Sequence, residues 1–344
     1  MTSIFKIKIL IFLVGSLLFS LILFYCLVLT PPINIEPTKI IFIKKGSSLK
    51  KISELLEKEG LIKNRQFFIL MTTLLNKKAK IKAGEYEFQT NLFPWQVLKI
   101  LQEGQVKRHL ITIPEGYTIN QIAQLLGELN IVDKNEFLQK ANSPSFISSL
   151  GLSDLADSSL EGFLFPDSYH MMKEMDAEDV IRMMTQQFKK VFNEELNKIG
   201  NNLRISEREI IILASIIEKE TPLPAEKPLI SAVFYNRLMK NMPLQSDPTV
   251  IYGIKNFNGN LTKEHLLKAT PYNTYTKVGF PPTPICNPGR ESIRAALSPA
   301  NVPYIYFVSK NDGSHYFSSN LEDHNQAVLK YQKLIKKTNL TKQW

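Results

Sequence analysis

The chain has 344 residues, enough for two domains, and its apolar content of 44% is that of an ordinary globular core. A formal charge of +10 favours anionic surroundings, namely lipid headgroups, acidic wall polymers or nucleic acid, but the lysines form no basic stripe, which speaks against nucleic acid. Cys26 lies in an apolar N-terminal run and Cys286 far down the chain, and neither stands at zinc spacing from a histidine, so no structural disulfide, metal site or cofactor is expected.

From Ile9 to Leu29 there is no charged residue, a stretch long enough to cross a bilayer as one helix. Lys6 and Lys8 precede it, which predicts a cytoplasmic N-terminus and an exported remainder. The apolar core exceeds that of a signal peptide, and CLVLTPPINIEP offers no small-x-small cleavage site. Residues 1–30 are therefore expected to be a cytoplasmic stub and an uncleaved single-pass anchor in the cell (inner) membrane.

After the linker prolines Pro31, Pro32 and Pro37, Ile40 to Ile43 reads as a strand, Gly46-Ser47 as a turn, and Ile52, Leu55 and Leu56 as the inner face of a helix. The pattern recurs about seventy residues later in Leu110 to Ile113, Gly116, and Ile122, Leu125 and Leu126, which suggests one supersecondary unit used twice. The first copy resembles the LysM-type modules that bind N-acetylglucosamine polymers, and residues 31–105 are assigned to a small LysM-like α/β subdomain. A purely structural role for this region stands beside glycan binding. Gly84, Tyr86 and Phe88 continue as an alternating strand, and Pro94 to Gln102 as a helix.

The second copy leads into SLEGFLFPDSY, Ser159 to Tyr169, where Glu161 and Asp167 stand among aromatic residues. This segment reads either as a cleft wall or as a strand ending in a Pro-Asp turn. A helix with Val180, Met184, Phe188 and Val191 at core spacing follows.

The central stretch is SEREIIILASIIEKET, Ser206 to Thr221. Ser206 and Glu209 have capping-box spacing, and the helix body is apolar all round, so this helix is expected to be buried. Glu218 follows Ile211, Ala214 and Ser215 on one face, whereas Glu220 points to the opposite side, so the two carboxylates form no paired site. A carboxyl among apolar neighbours at the negative end of a helix dipole is disfavoured as an anion, and a protonated carboxyl is what a general acid needs. The alternative is that Glu218 is a solvated last-turn residue.

Beyond it, Ile230 to Lys240 reads as a helix with Asn236 and Arg237 near its end. Three polar, proline-rich loops follow: one with Gln245, Ser246, Asp247 and Thr249, one with Asn273 and Tyr275, and one from Gly279 to Gly289 with Asn287. Loops of this kind usually shape a binding site. Strands at Tyr304–Val308 and His315–Phe317, and a helix carrying His324, Val328, Tyr331 and Leu334, close the chain.

The runs ASIIEKET, FYNRL, LQSDPTVIYG, PYNTY, GFPPTPICNPGRESIRAAL and YFVSKNDGSHYFS, with the later HN and with SLEGFLFPDSY ahead of them, closely resemble the endolytic murein transglycosylases of the MltG (YceG-like) family. The resemblance implies an α+β catalytic domain over residues 106–340. It also implies cleavage of peptidoglycan between N-acetylmuramic acid and N-acetylglucosamine with formation of 1,6-anhydromuramyl ends, near the synthases and on the outer face of the membrane. It places the catalytic glutamate on Glu218. Asn236, Arg237, Gln245, Ser246, Asp247, Thr249, Asn273, Tyr275 and Asn287 are then expected to line the glycan cleft, and Asp247, Glu161 or Asp167 could approach Glu218 through the fold. A lytic enzyme needs no activated water, so one carboxyl suffices where ordinary glycosidases use two. The competing readings are an anchored peptidoglycan-binding scaffold without catalysis, and a wall hydrolase.

Overall fold

The structure is a computed structural model that describes residues 2–25, 30–32, 36–75, 81–156, 158–199 and 204–333. The chain divides into two compact units, one formed by residues up to 109 together with 170–174, the other by 110–169 and the residues from 175 onward.

The first unit begins with α1 (Thr2–Phe24), whose apolar side chains, Phe12 and Phe19 among them, are exposed. Among the described residues no helix is long and apolar enough to cross a membrane. The last part of the predicted anchor, residues 26–29, lies outside the described residues. Strand β1 (Thr38–Ile43) is rich in β-branched residues and buries Ile41 and Ile43 on one face. Gly46 turns the chain with a φ of +80°, and the Ser48 hydroxyl then caps α2 (Leu49–Lys58) by accepting from the Lys51 N–H. Asn64 caps α3 (Arg65–Leu74) in the same way through the Phe67 N–H. Strand β2 (Gly84–Gln89) runs antiparallel to β1 with Tyr86 opposite Ile41. Helix α4 (Pro94–Glu103) starts on a proline and stops at Gly104 in the left-handed conformation. Ile41, Ile43, Ile52, Leu56, Phe68, Tyr86, Phe88 and Leu101 form the core that these elements share.

One ionic cluster completes this unit. The buried Glu85 carboxylate bonds His109 Nε2 at 2.5 Å and accepts from Lys173 Nζ at 2.7 Å, which ties residues 170–174 to β2. Burial works against the Glu85 anion, but the hydrogen bonds and charges of Lys173 and His109 outweigh it and hold the carboxyl below its usual range.

Strands β3 (His109–Thr112) and β4 (Ser168–Met171) form a two-stranded sheet. In the second unit, α5 (Ile119–Glu128) and α6 (Lys134–Ala141) form the counterpart of α2 and α3: Ile122 and Leu126 are buried where α2 buries Ile52 and Leu56. After the short α7 (Pro144–Ser149), the segment 159–167 forms turns that bury Leu160, Phe163, Leu164 and Phe165. Those aromatic residues belong to the core and are not a cleft wall. Phe163 meets Phe188 of α8 (Ala177–Ile199) edge-on, with ring centroids 5.2 Å apart.

Helix α9 (Glu207–Glu220) has its expected capping box between Ser206 and Glu209, and every residue from Ile210 to Ile217 is buried. Each such large side chain contributes about 1.5–3 kcal/mol of burial. Then come α10 (Lys227–Met239), α11 (Asp247–Tyr252), α12 (Lys263–Leu267) and α13 (Arg290–Leu297). Part of the loop read from the sequence is thus helical: Pro248 sits in the first turn of α11, where its fixed φ favours a helix start. Strands β5 (Tyr306–Ser309) and β6 (His315–Ser318) make an antiparallel hairpin, followed by α14 (Leu321–Val328) and a turn of π-helix, Leu329–Lys333. Leu334, assigned to the last helix from sequence, lies outside the described residues. Helix α9 packs against α10, α11 and α13, α10 against β5, and α14 against both strands of the hairpin. The fold is mixed α+β, with helices carrying most of the core.

Lys173→Met is expected to destabilise the protein at neutral pH, because it strips the buried Glu85 of a cation. The deficit should shrink as pH falls through the carboxylate range, where Glu85 becomes neutral in both proteins. Thermal melts of both proteins from pH 3 to 8 check this, and a deficit independent of pH would refute it.

Candidate active site

Because α9 is buried, its last turn delivers two carboxylates into the protein rather than to solvent. Two residues along an α-helix are about 200° of rotation, so Glu218 and Glu220 enter different surroundings.

Glu218 lies in a closed cradle. Its side chain is 7% exposed and that of its partner Lys227, at the start of α10, is 3% exposed. Lys227 Nζ donates to both carboxylate oxygens at 3.1 and 3.2 Å, the Gly289 N–H donates at 2.9 Å, and the Ser292 hydroxyl at 2.6 Å. Glu115 lies 3.9 Å from the same ammonium, its carboxylate occupying the space where a side chain at position 289 would stand. The apolar surroundings anticipated for Glu218 are not what its carboxylate meets: a cation, an amide and a hydroxyl all donate to the anion.

Glu220 lines a cleft of about 440 Å³ together with Arg237, Gln245, Asp247, Tyr275, Phe307, His315 and His324. Glu218 is not among its lining residues. The Ser246 hydroxyl donates to Glu220 Oε1 at 2.5 Å. Burial pushes the Glu220 carboxyl up to about 7; the Ser246 bond lowers it, the Asp247 charge raises it and the Arg237 charge lowers it. Asp247 Oδ1 in turn accepts from the Tyr275 hydroxyl at 2.5 Å. Arg237 is fixed by backbone carbonyls, those of Ile305 (2.7 Å), Leu244 (2.9 Å) and Pro243 (3.1 Å), and by Gln245 Oε1 (3.0 Å), with Tyr306 stacked 5.2 Å away. Gln245 itself holds a φ of +55°, a strained conformation for a side-chain-bearing residue of the kind that gathers at functional sites.

The other residues predicted for the site do not line this cleft. Ser246 and Thr249 are buried beneath it, with the Thr249 hydroxyl donating to the Ser246 carbonyl at 2.7 Å. Asn236 holds the carbonyls of Val302 and Tyr304, both at 2.8 Å. Asn273 is fully buried and bonds the carbonyls of His265, Leu266 and Lys268. Asn287 is fully buried too: Oδ1 accepts from the N–H groups of Gly162 and Leu164, and Nδ2 donates to Tyr117 and Glu161. Glu161 further accepts from the Ile119 N–H and the Tyr252 hydroxyl. Burial nevertheless pushes its carboxyl up to about 7. Asp167 takes a hydrogen bond from Gln187 at 2.7 Å. Of the predicted residues, then, Arg237, Gln245, Asp247 and Tyr275 share the cleft, while Asn236, Ser246, Thr249, Asn273, Asn287, Glu161 and Asp167 are engaged in the hydrogen bonds given above and do not line it.

Three cleft residues had no role in the sequence reading: Glu220, set aside by its direction on the helix, and His315 and His324. His315 Nδ1 pairs with Glu226 at 2.7 Å. His324 stacks on Tyr306, and burial together with the Arg237 charge keeps its pKa below the usual value. The sequence signal for His315 was its place just after the Asp312-Gly313 turn, which fixes where a strand begins. Among the described residues no cluster of three His, Cys, Asp or Glu side chains is placed to hold a metal ion.

Comparison with known proteins supplies independent information. The model of the YceG-like family matches residues 41–330. An endolytic murein transglycosylase of Bacillus subtilis is 31% identical over 309 residues, covering 86% of this chain and 85% of that protein. One of Streptococcus pneumoniae is 32% identical over 319 residues, covering 84% of this chain but 57% of the longer pneumococcal protein. The crystal structure of a YceG-like protein from Listeria monocytogenes superposes with a TM-score of 0.57 at 34% identity, covering 84% of this chain and 98% of that one.

Two stability outcomes follow from this geometry. Asn287→Ala strands the buried Gly162 and Leu164 amides, each costing about 1–3 kcal/mol, and should lower the denaturant midpoint sharply; a midpoint like that of wild type would refute its supporting role. Glu161 and Glu220 both have pKa values raised from 4.5 to about 7, so between those values the folded state holds more protons than the unfolded one. Their contribution is present below the unfolded value and lost as pH rises through about 7. Glu220→Gln should therefore flatten the fall of melting temperature over pH 5–8, and an unchanged slope would contradict the buried carboxyl.

Proposed function

The chain belongs to the YceG-like family, and on that premise we propose that it is a membrane-anchored endolytic transglycosylase of peptidoglycan with Glu218 as its general acid. The observation that carries this assignment is the meeting of two motif segments on one carboxyl: Glu218, in ASIIEKET, accepts from the Gly289 N–H at 2.9 Å and the Ser292 hydroxyl at 2.6 Å, both in NPGRES, and from Lys227 Nζ at 3.1 Å. These donors aim the carboxyl. Glu220, on the other side of α9, lines the cleft with Arg237 and is the alternative acid.

In the proposed reaction Glu218 protonates the glycosidic oxygen between N-acetylmuramic acid and N-acetylglucosamine. The 6-hydroxyl of the muramoyl residue closes on its own anomeric carbon, gives its proton to the Glu218 carboxylate and leaves a 1,6-anhydro end. Glu220 and Asp247, the latter bonded by Tyr275, share the cleft and favour a second reading, hydrolysis, in which two carboxyl groups flank the bond and one activates water.

The apolar run Ile9–Leu29 and the exposed apolar surface of α1 support an anchor with residues 1–30 at or within the membrane and the remainder outside, beside the synthases of its substrate. Residues 31–105 are read as a LysM-like subdomain and 106–340 as the catalytic domain; the strand, Gly46 turn and capped α2 support the first assignment.

The test is digestion of purified peptidoglycan by the wild-type chain, Glu220→Gln and Glu218→Gln, with mass spectrometry of the products. Anhydro-ended fragments are expected from wild type and none from folded Glu218→Gln. Loss of cleavage in folded Glu220→Gln with retention in Glu218→Gln would reverse the assignment. Products heavier by one water would establish hydrolysis, and sacculus binding without any cleavage would establish a scaffold.

A further inference from the structure

A general acid has to hold a proton before it gives one, yet an ammonium, an amide and a hydroxyl all donate to the Glu218 carboxylate. We propose that Glu115 resolves this conflict as a positioning residue: it shares the Lys227 ammonium with Glu218, so that Glu218 can take up the proton it delivers. This rests on the reading of Glu218 given above.

Glu115 stands in the turn Pro114-Glu115-Gly116, which belongs to the second copy of the strand-turn-helix pattern. That turn is fastened over the last turn of α9. Gly116 holds a φ of +74°, and a Cβ added to it would stand 3.5 Å from Glu218 Cγ. Its N–H donates to the Asn287 carbonyl at 2.9 Å, and the Asn287 N–H donates to the Tyr117 carbonyl at 2.9 Å. The Gly116 carbonyl accepts from Lys219 Nζ at 3.3 Å.

The turn sets the Glu115 carboxylate against Gly289, the residue whose N–H donates to Glu218. A Cβ at position 289 would collide with Glu115 Oε1, although the φ of −78° there suits any residue. Glycine is needed at 289 for room, and what takes up the room is a carboxylate. Glu115 Oε2 lies 3.9 Å from Lys227 Nζ, which in turn lies 3.1 Å from Glu218 Oε1, so one ammonium stands between two carboxylates. At 3.9 Å Glu115 makes no hydrogen bond to that ammonium, and it acts there as a charge. Its side chain is 52% exposed against 3% for Lys227, which leaves Glu115 as the member of the three open to solvent.

Glu218 and Lys227 alone form a neutral pair, in which the ammonium opposes protonation of its partner. With Glu115 the three groups carry one net negative charge, which favours one added proton shared by the two carboxylates. Burial raises the Glu115 carboxyl above its usual range, the Glu218 charge adds to this, and the Lys227 charge opposes it. Of the other titratable groups nearby, Glu291 on α13 also raises Glu115, and Lys219 on α9 is engaged by the Gly116 carbonyl. Cys286 and Glu161 are buried, and burial pushes both toward their neutral forms. The proton balance closes. The proton that Glu218 gives to the glycosidic oxygen is returned by the 6-hydroxyl, and Glu115 and Lys227 end as they began.

The experiment measures kcat and KM for cleavage of peptidoglycan strands by the full-length chain from pH 5 to 8, as wild type, Glu115→Gln, Glu115→Asp and Glu218→Gln. Glu115→Gln keeps the size of the side chain and removes its charge, so the alkaline fall in kcat should begin about one pH unit lower than in wild type. Its deficit in kcat should widen with pH to about tenfold at the alkaline end, at a KM close to that of wild type. Glu115→Asp, which keeps the charge, should recover most of the wild-type profile. Should Glu115→Gln not fold, Glu115→Ala carries the same expectation. A wild-type profile in the folded uncharged variant overturns the proposal, as does a deficit of one size at every pH, which is the signature of a merely structural role. Cleavage by folded Glu218→Gln, or none by wild type, would remove the reading of Glu218 and the proposal together, and that result is distinguishable because it does not involve Glu115.

Discussion

A buried helix that ends in Glu-Lys-Glu must place two carboxylates on opposite sides, and the rest of the second unit is arranged around how it does so. Ile210 to Ile217 hold α9 inside the protein, and that buried body fixes where both glutamates begin. One carboxylate receives a complete set of donors: Lys227, the Gly289 amide and the Ser292 hydroxyl. The other receives one hydroxyl, from Ser246, and looks into a cleft. Two identical side chains two residues apart thus acquire different surroundings.

Loops of the second unit are held by buried polar groups. Arg237 gathers three backbone carbonyls, Asn273 three more, and Asn287 joins loops that are distant in the chain to Glu161. Each bond adds only about 0.5–1.5 kcal/mol net, but breaking one strands a buried group at greater cost. Such a scaffold fixes loop geometry sharply, and it accounts for the density of Asn, Ser and Thr around the site. Those residues are needed whether or not they ever meet a ligand.

This also explains what was legible in the sequence and what was not. The capping box at Ser206, the apolar run behind it, the repeated strand-turn-helix and the closing hairpin are local signals, written within a few residues of where they act. The cleft is a property of separated segments meeting. The sequence singles out the polar loop residues, yet it offers no means to divide Asp247, which faces the cleft, from Asn287, which is fully buried. Periodicity identified the two directions taken by Glu218 and Glu220 but not what waits on each side. Apolar neighbours along the helix drew attention to Glu218, whereas its real surroundings come from α10 and α13, on residues 227, 289 and 292. His315 pairs with Glu226 across 89 positions, a separation at which no motif operates.

The first unit is not a contiguous piece of chain. It leaves off at residue 109 and is completed by 170–174, whose Lys173 supplies the second partner of Glu85. During synthesis β1, α2, α3, β2 and α4 emerge first and can bury their own core, but Glu85 must wait until residues 110–169 have also been made before Lys173 arrives. The N-terminal unit therefore reaches its final ionic state only after part of its successor exists, and no single cut in the backbone would release it whole. Exchange of residues 1–109 alone between proteins by simple fusion would leave an acidic side chain without one of its cations.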